Sequence, residues 1–195
     1  MRTIPHILAI AGSDPSGGAG IQADIKAISA NGGYAMAALT ALTAQNTSTV
    51  QGVFAVPPAF VAAQIHAVLS DIAVDGVKIG MLGSAEIVEA VAEALAGFTG
   101  LVVLDPVMVA KGGDRLLAQE AVAALTARLI GRADVLTPNL PEAAALLGCA
   151  QAQSRAEMLE QARALQALGA QAVLLKGGHL GGESAPDLLL TDRAT

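Results

Sequence analysis

Ile7-Leu8-Ala9-Ile10-Ala11-Gly12-Ser13-Asp14-Pro15-Ser16-Gly17-Gly18-Ala19-Gly20-Ile21 is the stretch that decides the fold. Its apolar run, residues 7–11, has no polar alternation and reads as a strand buried on both faces. The glycine-rich stretch after it reads as a strand-to-helix connection, where backbone can approach a ligand closely. Ile21, Ile25 and Ile28 then share one helical face. Strand, short loop and amphipathic helix make the first half of a βαβ unit.

The same alternation continues outward. Apolar runs recur at 35–42, 77–79, Leu101–Leu104, Val135–Leu136 and Ala172–Leu175. Helical stripes lie between them: Val61, Ile65, Val68 and Ile72; Ile87, Val88, Val91 and Leu95; Val122, Leu125 and Leu129; Met158, Ala162 and Leu165. Ser84 is a candidate N-cap, and Ser154 with Glu157 a candidate capping box. Pro141 suits the first turn of a short helix over Leu140–Leu147, and Gly148 can end it. Right-handed crossovers then predict an α/β fold, with helices around a mostly parallel central sheet. No repeat, linker or low-complexity tract divides the chain, so one domain over 1–195 is expected.

Composition sets the limits. In 195 residues, 53% apolar and only 14% charged, a large core is possible and intrinsic disorder is excluded. Aromatics are 2%, so that core is aliphatic. The net charge is −6 and the Lys and Arg residues are scattered, which argues against nucleic-acid or anionic-membrane partners. The single cysteine, Cys149, rules out an internal disulfide framework and fits a reducing compartment. Residues 27–70 lack Asp, Glu, Lys and Arg, but Asn31, Gly32, Gly33, Gln45, Asn46, Gly52, Pro57 and Pro58 break them. No apolar run approaches the roughly 18 residues of a membrane helix. The run 7–11 is also shorter than the roughly 7–15 residues of a signal peptide, so a mature cytoplasmic protein is expected.

In an open parallel sheet, ligands bind beyond the carboxyl ends of the strands. The candidate chemistry therefore lies just past each apolar run: the glycine-rich loop 12–20, Gln45, Met81, Asp105 with Val107, Asn139 with Glu142, and Lys176 with two glycines. The loop is not a P-loop, because Gly18 and Ala19 replace the required Lys and Ser/Thr. It delivers the chain to a helix N-terminus, where free N–H groups are expected to point outward. Gln45 can read a heterocycle edge, since an amide donates and accepts, or it can be a turn residue. Asp24 is a hydrogen-bond acceptor at the site or a solvated boundary residue. Asp105 and Glu142 suit Mg²⁺ carrying phosphates, or else cap a turn and a helix. Lys176, at the end of a buried strand, suits a nucleotide phosphate. Lys111-Gly112-Gly113-Asp114 reads equally as a lid or a solvated loop. His6 and His66 read as structural or solvated, His179 as a neighbour of the proposed site with a direct role the lesser alternative, and Cys149 as a buried or half-buried spectator.

Taken together, residues 11–24, 43–47, 78–82, 105–108, 137–143 and 175–179 resemble the bacterial hydroxymethylpyrimidine/phosphomethylpyrimidine kinases of thiamine synthesis. The resemblance implies a ribokinase-like three-layer α/β/α sandwich and a cytoplasmic homodimer. It implies ATP- and Mg²⁺-dependent phosphorylation of 4-amino-5-hydroxymethyl-2-methylpyrimidine and of its monophosphate. By position, Gly12, Ala19, Asp24, Gln45, Met81 and Val107 would line the pyrimidine pocket. Asp105 and Glu142 would hold the metal, with Asn139 and Lys176 on the nucleotide side. A related pyridoxal-type vitamin kinase and a non-catalytic pyrimidine-binding protein are the alternatives. The family's Gly-Thr-Gly-Cys segment, which stabilises the transferring phosphoryl group, finds no match before Thr195. The expectation is a C-terminally incomplete kinase domain with a mostly formed substrate pocket and no catalytic residue of that segment.

Overall fold

A computed structural model describes residues 4–108, 119–181 and 185–191. Its strands are β1 (His6–Ala11), β2 (Tyr34–Leu39), β3 (Ala41–Gln45), β4 (Val50–Ala55), β5 (Gly76–Ile79), β6 (Leu101–Leu104), β7 (Val135–Leu136), β8 (Ala172–Leu175) and β9 (Leu188–Thr191). Its helices are α1 (Gly20–Ala30), α2 (Pro58–Leu69), α3 (Ala85–Ala94), α4 (Gln119–Arg128), α5 (Leu140–Leu147) and α6 (Arg155–Ala167). A seven-stranded sheet runs β2-β1-β5-β6-β7-β8-β9. All neighbours are parallel except β9, which closes the edge antiparallel to β8.

The strand order explains the layers. From β1 the chain moves one way to β2, and every later crossover moves the other way. Right-handed crossovers in opposite directions put their helices on opposite faces. Leu8, Ile10, Val77, Ile79, Val102, Leu104, Leu136, Val173 and Leu175 face the large core under the later helices. Ala9 and Ala11 face the other way, against Ile21 of α1. The three layers are unequal: α1 covers β1 and β2, while Leu101 of β6 stays 65% exposed. The reversal between β1 and β5 is a topological switch point, where a crevice opens at the carboxyl ends of the strands.

One strand expectation needs correcting. Residues 35–42 are not a continuous strand. The chain leaves the sheet at Thr40, which is fully buried; its hydroxyl donates to the Met81 carbonyl at 2.7 Å and its N–H to the Ala11 carbonyl. From Ala41 it forms a separate antiparallel hairpin, β3 with β4. The Ser154–Glu157 box is half formed. Ser154 accepts from the Glu157 N–H at 3.2 Å, but Glu157 returns its carboxylate to the Gln153 N–H.

Candidate active site

A cavity of about 460 Å³ lies at the switch point. The loop 12–20 and α1 form one wall, the β3–β4 hairpin another, and Lys78, Met81, Asp105 and Val107 the floor and far side. Gly12, Ala19, Asp24, Gln45, Met81 and Val107 all line it.

Asp14 shapes the loop. Its side chain is 2% exposed and accepts the N–H groups of Ser16, Gly18 and Ala19 and the Ser16 hydroxyl, at 2.7–3.1 Å. Burial pushes its carboxyl pKa up, but these hydrogen bonds to Ser16, Ala19 and Gly18 outweigh burial and leave it below the ordinary Asp value. Gly18 and Ala19, just ahead of α1, thus turn their N–H groups onto Asp14, while the first-turn N–H groups of Gly20 and Gln22 meet no acceptor among the described residues. Gly20, at φ +53°, completes the turn: a Cβ there would overlap the Gly12 carbonyl, which accepts the Ile21 N–H at 2.9 Å. Gly12 is less confined: a Cβ on it would meet the Met81 methyl, the movable end of a flexible side chain.

The hairpin is tied to this loop through Ser13 and Thr43. The Thr43 N–H donates to the Ser13 hydroxyl oxygen at 3.0 Å, and the Thr43 hydroxyl to the Ser13 carbonyl at 2.9 Å. Gln45 ends β3 at a register shift and lines the cavity. Opposite it, Asp24 is paired with Lys78, whose Nζ stands 3.0 Å from both carboxylate oxygens. Sequence reasoning gave Lys78 no role. The signal was present: an ammonium group on a strand that is otherwise buried.

The remaining expected residues form a second cluster that meets the cavity at Asp105. Lys176 Nζ donates to Asp105 Oδ1 at 2.8 Å, and the Thr137 hydroxyl to the same oxygen at 3.2 Å. Lys176 bridges in parallel to Asn139 beside it. Asn139 and Glu142 form a complete capping box on α5, with both bonds at 2.8 Å. Their capping role is therefore realised, and neither lines the cavity. Glu142 is 5% exposed. Burial raises its pKa above the ordinary Glu value, with Asp105 adding to it, against the Asn139 N–H, Lys176 and the Met108 N–H.

The donor set suits Mg²⁺. The ion takes one or two carboxylates and completes its shell with water and phosphate oxygens. Asp105 faces the cavity, and Glu142 behind it is a carboxylate whose buried charge a cation would relieve. Among the described residues, no group of three or more His, Cys, Asp or Glu is placed to hold a metal without such help.

His6, His66, His179 and Cys149 do not line the cavity. His6 is held by the Ala73 carbonyl at 3.0 Å and packs edge-on to Tyr34. The side chains of His66 and His179 are exposed. Cys149 is exposed rather than buried, because Gly148 at φ +63° ends α5 and turns it outward. The loop Lys111-Gly112-Gly113-Asp114 lies outside the described residues. Among those residues, no helix is long and apolar enough to cross a membrane.

Comparison with known proteins agrees with this fold. Over 187 residues the chain is 57% identical to the hydroxymethylpyrimidine/phosphomethylpyrimidine kinase of Escherichia coli, covering 95% of this chain and 70% of that one. The crystal structure of a Clostridium difficile phosphomethylpyrimidine kinase superposes with a TM-score of 0.90 at 43% identity, over 97% of this chain and 82% of that one. A Bacillus subtilis pyridoxal kinase, solved as an ADP complex, superposes at 0.88 with 37% identity, over 98% of this chain and 72% of that one. The family model for phosphomethylpyrimidine kinase matches residues 14–195, so a ribokinase-like sandwich with this cavity at its switch point belongs to the phosphomethylpyrimidine kinase family of phosphotransferases.

Proposed function

We propose that the cavity takes 4-amino-5-hydroxymethyl-2-methylpyrimidine, and then its monophosphate, for phosphorylation by ATP with Mg²⁺. The observation that carries this reading is that Gly12, Ala19, Asp24, Gln45, Met81 and Val107 line one cavity with Asp105 at its edge. A neutral heteroaromatic ring suits the apolar lining residues Ala19, Met81 and Val107. Gln45, whose side-chain amide makes no hydrogen bond to another described residue, supplies the donor–acceptor pair for the ring edge. Asp24 accepts from an exocyclic donor.

Asp105 and Glu142 would hold Mg²⁺, which neutralises phosphate charge during transfer. Lys176 and Asn139 sit where the nucleotide phosphates would approach. We further propose a cytoplasmic homodimer, in keeping with the family resemblance and with the exposed apolar Leu42, Val53 and Phe54 on the hairpin.

Calorimetric titration with the hydroxymethylpyrimidine, with and without ATP and Mg²⁺, tests the reading. Saturable binding at one site per chain is expected, with pyridoxal a weaker competitor. Preference for pyridoxal would transfer the chain to the vitamin kinases represented by the Bacillus subtilis relative. Pyrimidine binding unaccompanied by any nucleotide binding would favour a non-catalytic pyrimidine-binding protein.

A further inference from the structure

The charge inventory of the cavity is short. Among the described residues, Asp14, Asp24, Lys78 and Asp105 are the acidic and basic residues on its wall. Asp14 turns its charge inward, onto the loop's own donors. Asp105 is neutralised from behind by Lys176. Among the described residues, Lys78 is the one cation paired with Asp24, and it pairs from within the cavity wall.

Its placement follows from the sheet. Val77 and Ile79 face the large core, so Lys78 must face α1. Its partner in register on β1 is Ala9, a small residue. Gly80 leaves further room, since a Cβ there would lie 2.9 Å from Nζ. The lysine stem therefore runs past small side chains to Asp24, and its side chain keeps 26% exposure. Among the described residues, Nζ has no acceptor other than the two oxygens of Asp24. An ammonium has three N–H donors, so one is left over.

We infer that Lys78 is a specificity-determining residue: by cancelling Asp24 it lets one cavity accept a pyrimidine bearing a phosphate monoester as well as the neutral alcohol. This rests on the substrate reading above. Uncompensated, Asp24 would repel the roughly −1.5 to −2 charge of a phosphate monoester while exerting no such repulsion on a neutral ring. The Asp24–Lys78 pair is thus a charge-balancing device, and the quantity it controls is the ratio of the two ligand affinities.

The test is calorimetric titration of the whole chain with the hydroxymethylpyrimidine and its monophosphate. Lys78→Met should weaken the monophosphate relative to the neutral ligand by roughly tenfold or more, from the loss of one nearby charge. Asp24→Asn should move the same ratio the opposite way. The double variant restores the balance and should return the ratio close to that of the unmodified chain, even if both ligands bind less tightly. Lys78→Arg should hold the ratio. Equal losses for both ligands in the two single variants would overturn the inference, because a purely structural pair has no reason to distinguish them. An unmodified chain that binds the alcohol and not the monophosphate would also overturn it, leaving the pyrimidine reading intact. A chain that binds neither would remove both.

Discussion

Two buried carboxylates sit at the two ends of the site, and they are built in opposite ways. Asp14, in the loop after β1, is surrounded by donors, and its native environment favours the charged form. Glu142, at the start of α5, is equally buried, but burial outweighs its donors and favours the neutral form. One carboxylate has its charge fully answered by the chain. The other has an unmet electrostatic demand, and Asp105 beside it adds to that demand. The difference separates a scaffold from a group that, on the proposed reading, binds a cation. Asp14 makes a rigid wall against which a neutral ring can pack, while Glu142 is placed where an incoming cation would be welcome.

If that contrast is right, removing Asp14 should have the largest effect on the molecule. Asp14→Ala takes away the acceptor of three backbone N–H groups and one hydroxyl, and should cost about 2–4 kcal/mol of stability. Chemical denaturation measures it. Because the loop forms a cavity wall, pyrimidine binding should fall as well. A loss under about 0.5 kcal/mol, the scale of a surface change, would mean that the loop holds its shape without the carboxylate.

A smaller effect is expected at Gln45, which lines the cavity and on the proposed reading contributes to binding and little to the fold. Gln45→Ala should weaken the pyrimidine by roughly 1–3 kcal/mol, because a polar ring edge loses its partner on leaving water. The denaturation midpoint should stay where it was. Unchanged affinity would take Gln45 out of the site and return it to an ordinary hairpin end.

How far these features could be read in advance depended on where their causes lie. Leu101–Leu104, Val135–Leu136 and Ala172–Leu175 were legible to the residue, because a parallel strand buried in a sheet is written as an apolar run. The α5 boundaries were legible for a local reason too, with Pro141 and Gly148 marking its ends. The hairpin was not. Leu42, Val53 and Phe54 are apolar yet 49%, 54% and 68% exposed, so their pattern merges with the buried run before it. The break at Thr40 depends on its partner at Met81, far along the chain. The candidate residues were legible by type and strand-end position. Asp14 appeared only as part of a motif, since its role arises when the loop folds around it. Lys78 acquires meaning only once α1 brings Asp24 across the sheet.

The smallest effect, and the finest probe of the contrast, is at Glu142. Gln at this helix position keeps the capping acceptor and the shape, and removes only the charge. Because the folded-state pKa of Glu142 is raised, its contribution to stability is whole below the ordinary carboxylate range, about pH 4, and is lost as pH rises through the raised value. Glu142→Gln abolishes that loss. The variant should therefore show the higher denaturation midpoint at pH 8, with the gap closing as pH falls toward about 4. Asp14 runs the other way: its lowered pKa gives stability that is present above the ordinary Asp range and lost as pH falls through the lowered value. Adding Mg²⁺ with nucleotide should stabilise the unmodified chain more than Glu142→Gln, while pyrimidine binding stays the same in both. If the variant is instead the less stable at pH 8, the Lys176 ammonium already satisfies Glu142, and the proposed metal site loses its electrostatic basis.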